Sequence, residues 1–288
     1  MTGIKKILCI AGVLAMLLSA ASCSDSKNDS SSETAQSSVY DSSAADGSQA
    51  EEYKPGKLLE NAAKIFQNKK YTLKCTVTDS TSKESTKITK VVNGDDIYQL
   101  QETKQGSYGI ISSDGKEYAF DNLCGMYKKE KDIFKNSVVE EIINNKISPS
   151  KSNEAQTQDD KTYDSEHYTY TGDTYITNVT FYFDKKTGEL KKYTMRYTVE
   201  GNDDVIETRT IDSLTEKVDE KAFSLDFLDK MVDFEEMSDE QRQGFCQGVC
   251  SAKNITVDMM NKLGITTESL KTISFETFFN LVYTYADK

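Results

Sequence analysis

The chain has 288 residues and a net charge of −12, with charged residues making up 28% of it. That acidity argues against nucleic-acid binding, which needs a basic face, and reads as a solvated surface. Sixteen tyrosines and twelve phenylalanines, with no tryptophan and only two prolines, suit a strand-rich chain long enough for one large or two modest domains.

The first 22 residues read as a targeting segment. Lys5 and Lys6 precede an apolar run from Ile7 to Leu18, too short for a membrane span, and Ser19-Ala20-Ala21-Ser22 leads into Cys23. This order resembles a bacterial lipoprotein signal peptide with its lipobox, with Ala20 standing where leucine is more usual. The resemblance implies cleavage before Cys23, diacylglyceryl modification of its thiol with palmitate-type chains, and extracytoplasmic anchoring to the cell membrane. Two acyl chains hold stably where one is marginal. An ordinary secretory signal cut after Ala21 or Ser22 is the alternative. Residues 23–52 then form a tether: Ser24 to Ala50 holds ten serines and almost nothing apolar. About 27 flexible residues span roughly 30 Å.

Residues 53–232 are expected to form the main domain. Pro55-Gly56 opens a helix over 58–68 whose stripe is Leu59, Ala62, Ala63 and Phe66. A strand follows at Tyr71, Leu73, Cys75 and Val77, then strands at 86–93, 96–103, 107–113 and 116–121. Glycine-bearing turns separate them. Asp132 is expected to cap a second helix with Phe134, Val138, Ile142 and Ile143 on one face, and 148–161 reads as a polar loop. Strands resume at 166–171 and continue in a long hairpin over 175–200. In it Val179, Phe181 and Phe183 alternate with polar residues, as do Tyr193, Met195, Tyr197 and Val199. Facing residues share a sheet face, so the link must hold an odd number of residues, such as 185–189, unless a bulge absorbs one. Gly188 is placed for a left-handed turn residue. A strand at 205–213 and a helical turn at 218–223 close this part.

Residues 233–288 read as three short helices. Ser238 and Gln241 form a capping box, Phe245, Val249 and Ala252 follow at helical spacing, Gly264 ends a helix over 256–263, and Ser274 starts the third. So small a unit is expected to dock on the sheet. Meandering hairpins predict an α+β fold with an antiparallel sheet.

The helix running directly into long strands, with Asp114-Gly115-Lys116-Glu117-Tyr118 and Phe183-Asp184-Lys185-Lys186-Thr187-Gly188-Glu189-Leu190, resembles the LolA/LolB-like lipoprotein-carrier superfamily, which includes mycobacterial lipid-binding lipoproteins. The resemblance covers about 53–232 and lies in pattern and order. It implies an incomplete β-barrel curved around helices and an apolar cavity for a lipid, lined by Leu73, Val77, Val179, Phe181, Met195 and Tyr197. Packing of those residues on the helices is the alternative, and it gives a cell-envelope interaction module without a cavity. The C-terminal helices have no counterpart in that family.

Catalytic signals are few. His167 is the single histidine, with no nucleophile elbow or glycine-rich loop near it. Cys246 and Cys250 lack the further ligands a zinc site needs, and Asp203-Asp204 reads as a solvated turn. Cys75, Cys124, Cys246 and Cys250 are expected as buried thiols, with a disulfide from Cys246 or Cys250 to Cys75 or Cys124 as the oxidised alternative. The expectation is a non-enzymatic monomer without cofactor or metal.

Overall fold

Alternation of side chains across each strand decides what the sheet buries, and in this chain almost every strand has one strongly apolar face. The computed structural model describes residues 56–82, 84–131, 139–140, 142, 147, 162–171, 176–198 and 204–286. The expected signal segment with Cys23, the expected tether and the expected loop at 148–161 lie outside them.

Helix α1 (Leu59–Gln67) passes through Asn68-Lys69 into β1 (Lys70–Asp79). A meander continues through β2 (Ser85–Asn93), β3 (Asp96–Glu102), β4 (Ser107–Ser113), β5 (Lys116–Asp121) and β6 (Met126–Glu130). A second meander is β7 (Tyr163–Thr171), β8 (Ile176–Asp184), β9 (Leu190–Thr198) and β10 (Val205–Thr215). Pairing of β1 with β10 joins the two, and β11 (Val232–Asp233) adds a short parallel edge on β6. The result is an unclosed eleven-stranded sheet in the order β11-β6-β5-β4-β3-β2-β1-β10-β9-β8-β7. Helices lie on one face, so the fold is the α+β antiparallel sheet expected from the hairpin pattern, unclosed as the family resemblance implied.

The hairpin follows its parity. Val179 faces Met195 and Phe181 faces Tyr193, even sums as expected, but the last pair is Phe183 with Leu190, so six residues link that pair and a bulge absorbs the odd one. Register jumps from Tyr182–Lys192 to Phe183–Leu190, so Lys191 is a bulge next to the turn. Gly188 has φ +69°, and Asp184 Oδ1 accepts from Lys186 and Thr187 N–H groups to close the loop. One departure is that β8 is covered on both faces. Thr180 and Tyr182 are buried because His167 bonds Thr180, while Tyr163 and Lys192 close over the Tyr182 ring.

Strand β6 was not expected, because it alternates Met126 with Lys128 rather than with a second apolar residue. Lys128 is nevertheless buried on the sheet's inner face, paired with Glu130 and with Glu276 at 2.5 Å. Of the expected second helix, residues 139, 140 and 142 are helical, with Val139 and Ile142 buried. Phe134, Val138 and Ile143 lie outside the described residues.

The C-terminal segment holds α2 (Asp239–Ala252), α3 (Val257–Asn261) and α4 (Phe275–Tyr285). The Ser238–Gln241 capping box is formed, and Gly264 has φ +72°. These helices pack on β4–β6 around Tyr108, Ile110, Ala119 and Met126. Phe279 and Tyr283 meet the Tyr108 ring edge-on at 4.9 and 5.7 Å. On α2 Cys246 and Cys250 are buried, and Phe245 and Val249 pack half-buried against the same cluster, while Ala252 is exposed.

Candidate functional site

Strand register brings all six residues expected to line a cavity onto the inner face. Val179 and Met195 pair directly, Phe181 lies beside Tyr193, Arg209 links Tyr193 to Val77, and Tyr197 ends the row. Val179, Phe181 and Met195 form one cluster with Leu59, Ala62 and Ala63 of α1 and with Val139 and Ile142, and Tyr197 packs at its margin. Leu73 and Val77 fall into two adjoining clusters, with Tyr71 and Val92 and with Cys75 and Ile88. Five of the six are at most 7% exposed. Tyr197 is half-buried, its hydroxyl donating to Met195 Sδ at 3.3 Å.

Two polar devices hold the helical cover down. Helix α1 has no cap from its own Leu58; instead Glu166 on β7 accepts the Leu58 and Leu59 N–H groups at 2.7 and 3.0 Å. A carboxylate there satisfies free donors and meets the positive end of the helix dipole. The Tyr168 hydroxyl steadies Glu166 at 3.0 Å. Gly56 makes room for it, since a Cβ there would stand 2.1 Å from Glu166 Oε2. The second device is Glu140, which accepts from Lys90 at 2.9 and 3.0 Å and from the Tyr71 hydroxyl at 2.9 Å. Burial, reinforced by the Glu140 charge, raises the Tyr71 phenol well above its ordinary value.

Sequence reasoning missed a buried ion pair on this face. Arg209 Nε donates to Glu207 Oε1 at 2.5 Å, and the guanidinium lies 5.9 Å from the Tyr193 ring centre. Their i, i+2 spacing in a strand places both on one face, which was the available signal. Burial pushes the adjacent Cys75 thiol up to about 11, against the opposing pull of Arg209.

A second polar centre ties the sheet to α4. Asp121, fully buried, accepts from the Tyr283 hydroxyl at 2.7 Å and from the Cys124 N–H at 2.8 Å. Burial raises the Asp121 carboxyl above its ordinary 3.8, with those donors pulling the other way. Cys75, Cys124, Cys246 and Cys250 are free thiols. His167 Nδ1 lies 2.9 Å from Thr180 Oγ1, and burial lowers its pKa. Among the described residues no cluster of three or more His, Cys, Asp or Glu can hold a metal, and no helix is long and apolar enough to cross a membrane.

Open clefts lie elsewhere. One of about 530 Å³ is on the outer face of β3–β5, with Tyr98, Phe120 and Phe227 in its lining. Another of about 380 Å³ runs beside β11, between half-exposed Val232 and Met237, Gln241 and Phe245.

No family model and no curated protein matches the chain. Among solved structures, similarity is found to a DUF1329 family protein from Desulfovibrio piger, at 14% identity over 59% of this chain and 96% of that one, with a TM-score of 0.28. MucB is similar at 12% identity over 58% of this chain and 61% of that one, with a TM-score of 0.29. The Pseudomonas aeruginosa MucA/MucB complex is similar at 12% identity over 55% of each chain, with a TM-score of 0.25. Superpositions this loose define neither a shared fold nor a shared role.

Proposed function

We propose that the chain is a non-enzymatic, membrane-tethered extracytoplasmic module that binds a cell-envelope partner through the outside of a filled sheet. The observation that supports this is the inner face itself. Leu73, Val77, Val179, Phe181 and Met195 are buried, and Val179, Phe181 and Met195 pack with α1, Val139 and Ile142. Glu166 and Glu140 pin that cover at two places. Side chains already in contact leave little volume for a ligand, because protein interiors pack as densely as organic crystals.

Anchoring rests on the Lys5, Lys6, apolar-run and Cys23 order, followed by the serine-rich reach. Expression of wild type and Cys23→Ser in a bacterial host with labelled fatty acid tests it. Label in the wild type alone, with the variant shifted to the soluble fraction, is the expected result. An unlabelled wild type and equal membrane fractions would remove the anchor.

The position of Tyr197 favours a second reading, that of an apolar ligand held by Leu73, Val77, Val179, Phe181, Met195 and Tyr197. It is the one half-buried member of the set, at the end of the row where a chain would enter. Titrating a fluorescent fatty acid into Cys23→Ser separates the two readings: saturable one-to-one binding supports the cavity, and its absence supports the filled sheet.

A further inference from the structure

At one end of the sheet, main chain and apolar side chains are open together. Strand β11 is the last on the β6 side, and among the described residues no strand pairs with its outer edge. Val232 and Phe234 donate their N–H groups to the Gly125 and Tyr127 carbonyls at 3.0 and 2.8 Å, so both point toward β6. Successive residues of a parallel strand bond to opposite sides, which turns the Asp233 N–H and carbonyl outward. Outward main-chain groups on an edge strand are what strand addition uses.

The side chains beside this edge form a groove. Val232 is 41% exposed, and Val257 on α3 is the other exposed large apolar residue among those described. Val232 shares a cleft of about 380 Å³ with half-buried Met237 and Phe245. Phe245 meets Phe234 and Phe278 at 6.2 Å in each case, so the C-terminal core holds this wall in place.

Charge decides the occupant. From 233 to 241 the chain carries five carboxylates, Asp233, Glu235, Glu236, Asp239 and Glu240, and no base. Lys129 meets Asp233 and Glu236 at 3.3 and 3.4 Å, and the Arg242 guanidinium lies over the Phe234 ring at 5.5 Å, so the rim keeps a net negative charge. Burial raises the Glu235 carboxyl above its ordinary value; Lys128 pulls against this, while Glu130, Glu276 and Asp233 add to it. A second copy would bring the same carboxylates on a chain of net charge −12, and a fatty acid would bring one more. A basic chain meets attraction instead.

We infer that β11 takes an extended, basic segment of a partner polypeptide as an added strand. Its apolar side chains would enter the groove of Val232, Met237 and Phe245, and its lysines or arginines would face the acidic rim. The inference deepens the partner-binding reading and rests on it; the fatty-acid titration above tests the filled sheet alone, so the two fail separately. Fluorescence anisotropy of the labelled heptapeptide KVKFKVK with the full Cys23→Ser chain tests it. Two control peptides are KSKGKSK, of equal charge without large apolar side chains, and KVKFKVK methylated at every internal amide nitrogen, which cannot pair as a strand. Saturable binding of KVKFKVK, tighter than of either control and weakening as salt rises, is expected. Val232→Ser with Glu236→Lys should weaken its Kd by about tenfold or more. Val257→Ser with Glu189→Lys makes the same changes away from the groove and should have less than about a twofold effect. Absence of binding, equal binding of either control peptide, or the same Kd in the two double variants would each overturn the assignment.

Discussion

Glu166 shows how one side chain can decide where an element sits. Its carboxylate caps α1 from β7, more than a hundred positions away in sequence, and Gly56 is the residue that lets it approach. Glu166→Ala should lower stability by about 1–2 kcal/mol, the usual cost of a lost helix cap, with Glu166→Gln recovering part through its remaining acceptor. Urea unfolding of the two variants measures this. Asp121 acts at the same scale through its protonation. Its folded pKa lies above the ordinary 3.8, chiefly through burial, so the folded state holds the proton more tightly than the unfolded chain. The contribution is complete below the ordinary value and is lost as pH rises through the raised one. Wild type should therefore gain stability relative to Asp121→Asn as pH falls from 7 toward 4. A constant difference, or one that shrinks on acidification, would contradict that sign.

Among the elements, α4 carries the docking of the C-terminal segment. Phe278 is fully buried, stacked at 15° on Phe234 and edge-on to Phe245, so it joins α4 to α2 and to the chain leaving β11. Phe278→Ala should cost about 3–5 kcal/mol, the range for deleting a buried ring, measured by thermal or denaturant unfolding. Much of this organisation was legible beforehand. The Val179–Phe181–Phe183 alternation gave the hairpin, its parity gave the register, and the Ser238–Gln241 box gave a helix start. Strand β6 was not legible, because Lys128 occupies a core position that is tolerable only once Glu130 and Glu276 meet it, and Glu276 lies about 150 residues on. On α2 the expected spacing holds for Phe245 and Val249, which pack against the cluster, while Ala252 falls on the open side and Cys246 and Cys250 fill the most buried positions as small hydrophobes.

For the whole molecule, the unclosed sheet has a covered inside and a partly bare outside. The candidate ligand residues were found on one face, as alternation implied. What alternation does not carry is whether the space in front of that face is empty. That depends on α1, Val139 and Ile142, and on the two carboxylates, Glu166 and Glu140, that hold this cover. The outer cleft was equally hidden, since Tyr98, Phe120 and Phe227 converge only after the chain beyond β10 folds back. The claim that the inner face is filled by the protein's own side chains is tested most directly by native mass spectrometry of the Cys23→Ser chain, purified without detergent from the host that expresses it. The bare polypeptide mass, unchanged after organic extraction, is predicted. A population heavier by one lipid, which reverts to the bare mass on extraction, would contradict it.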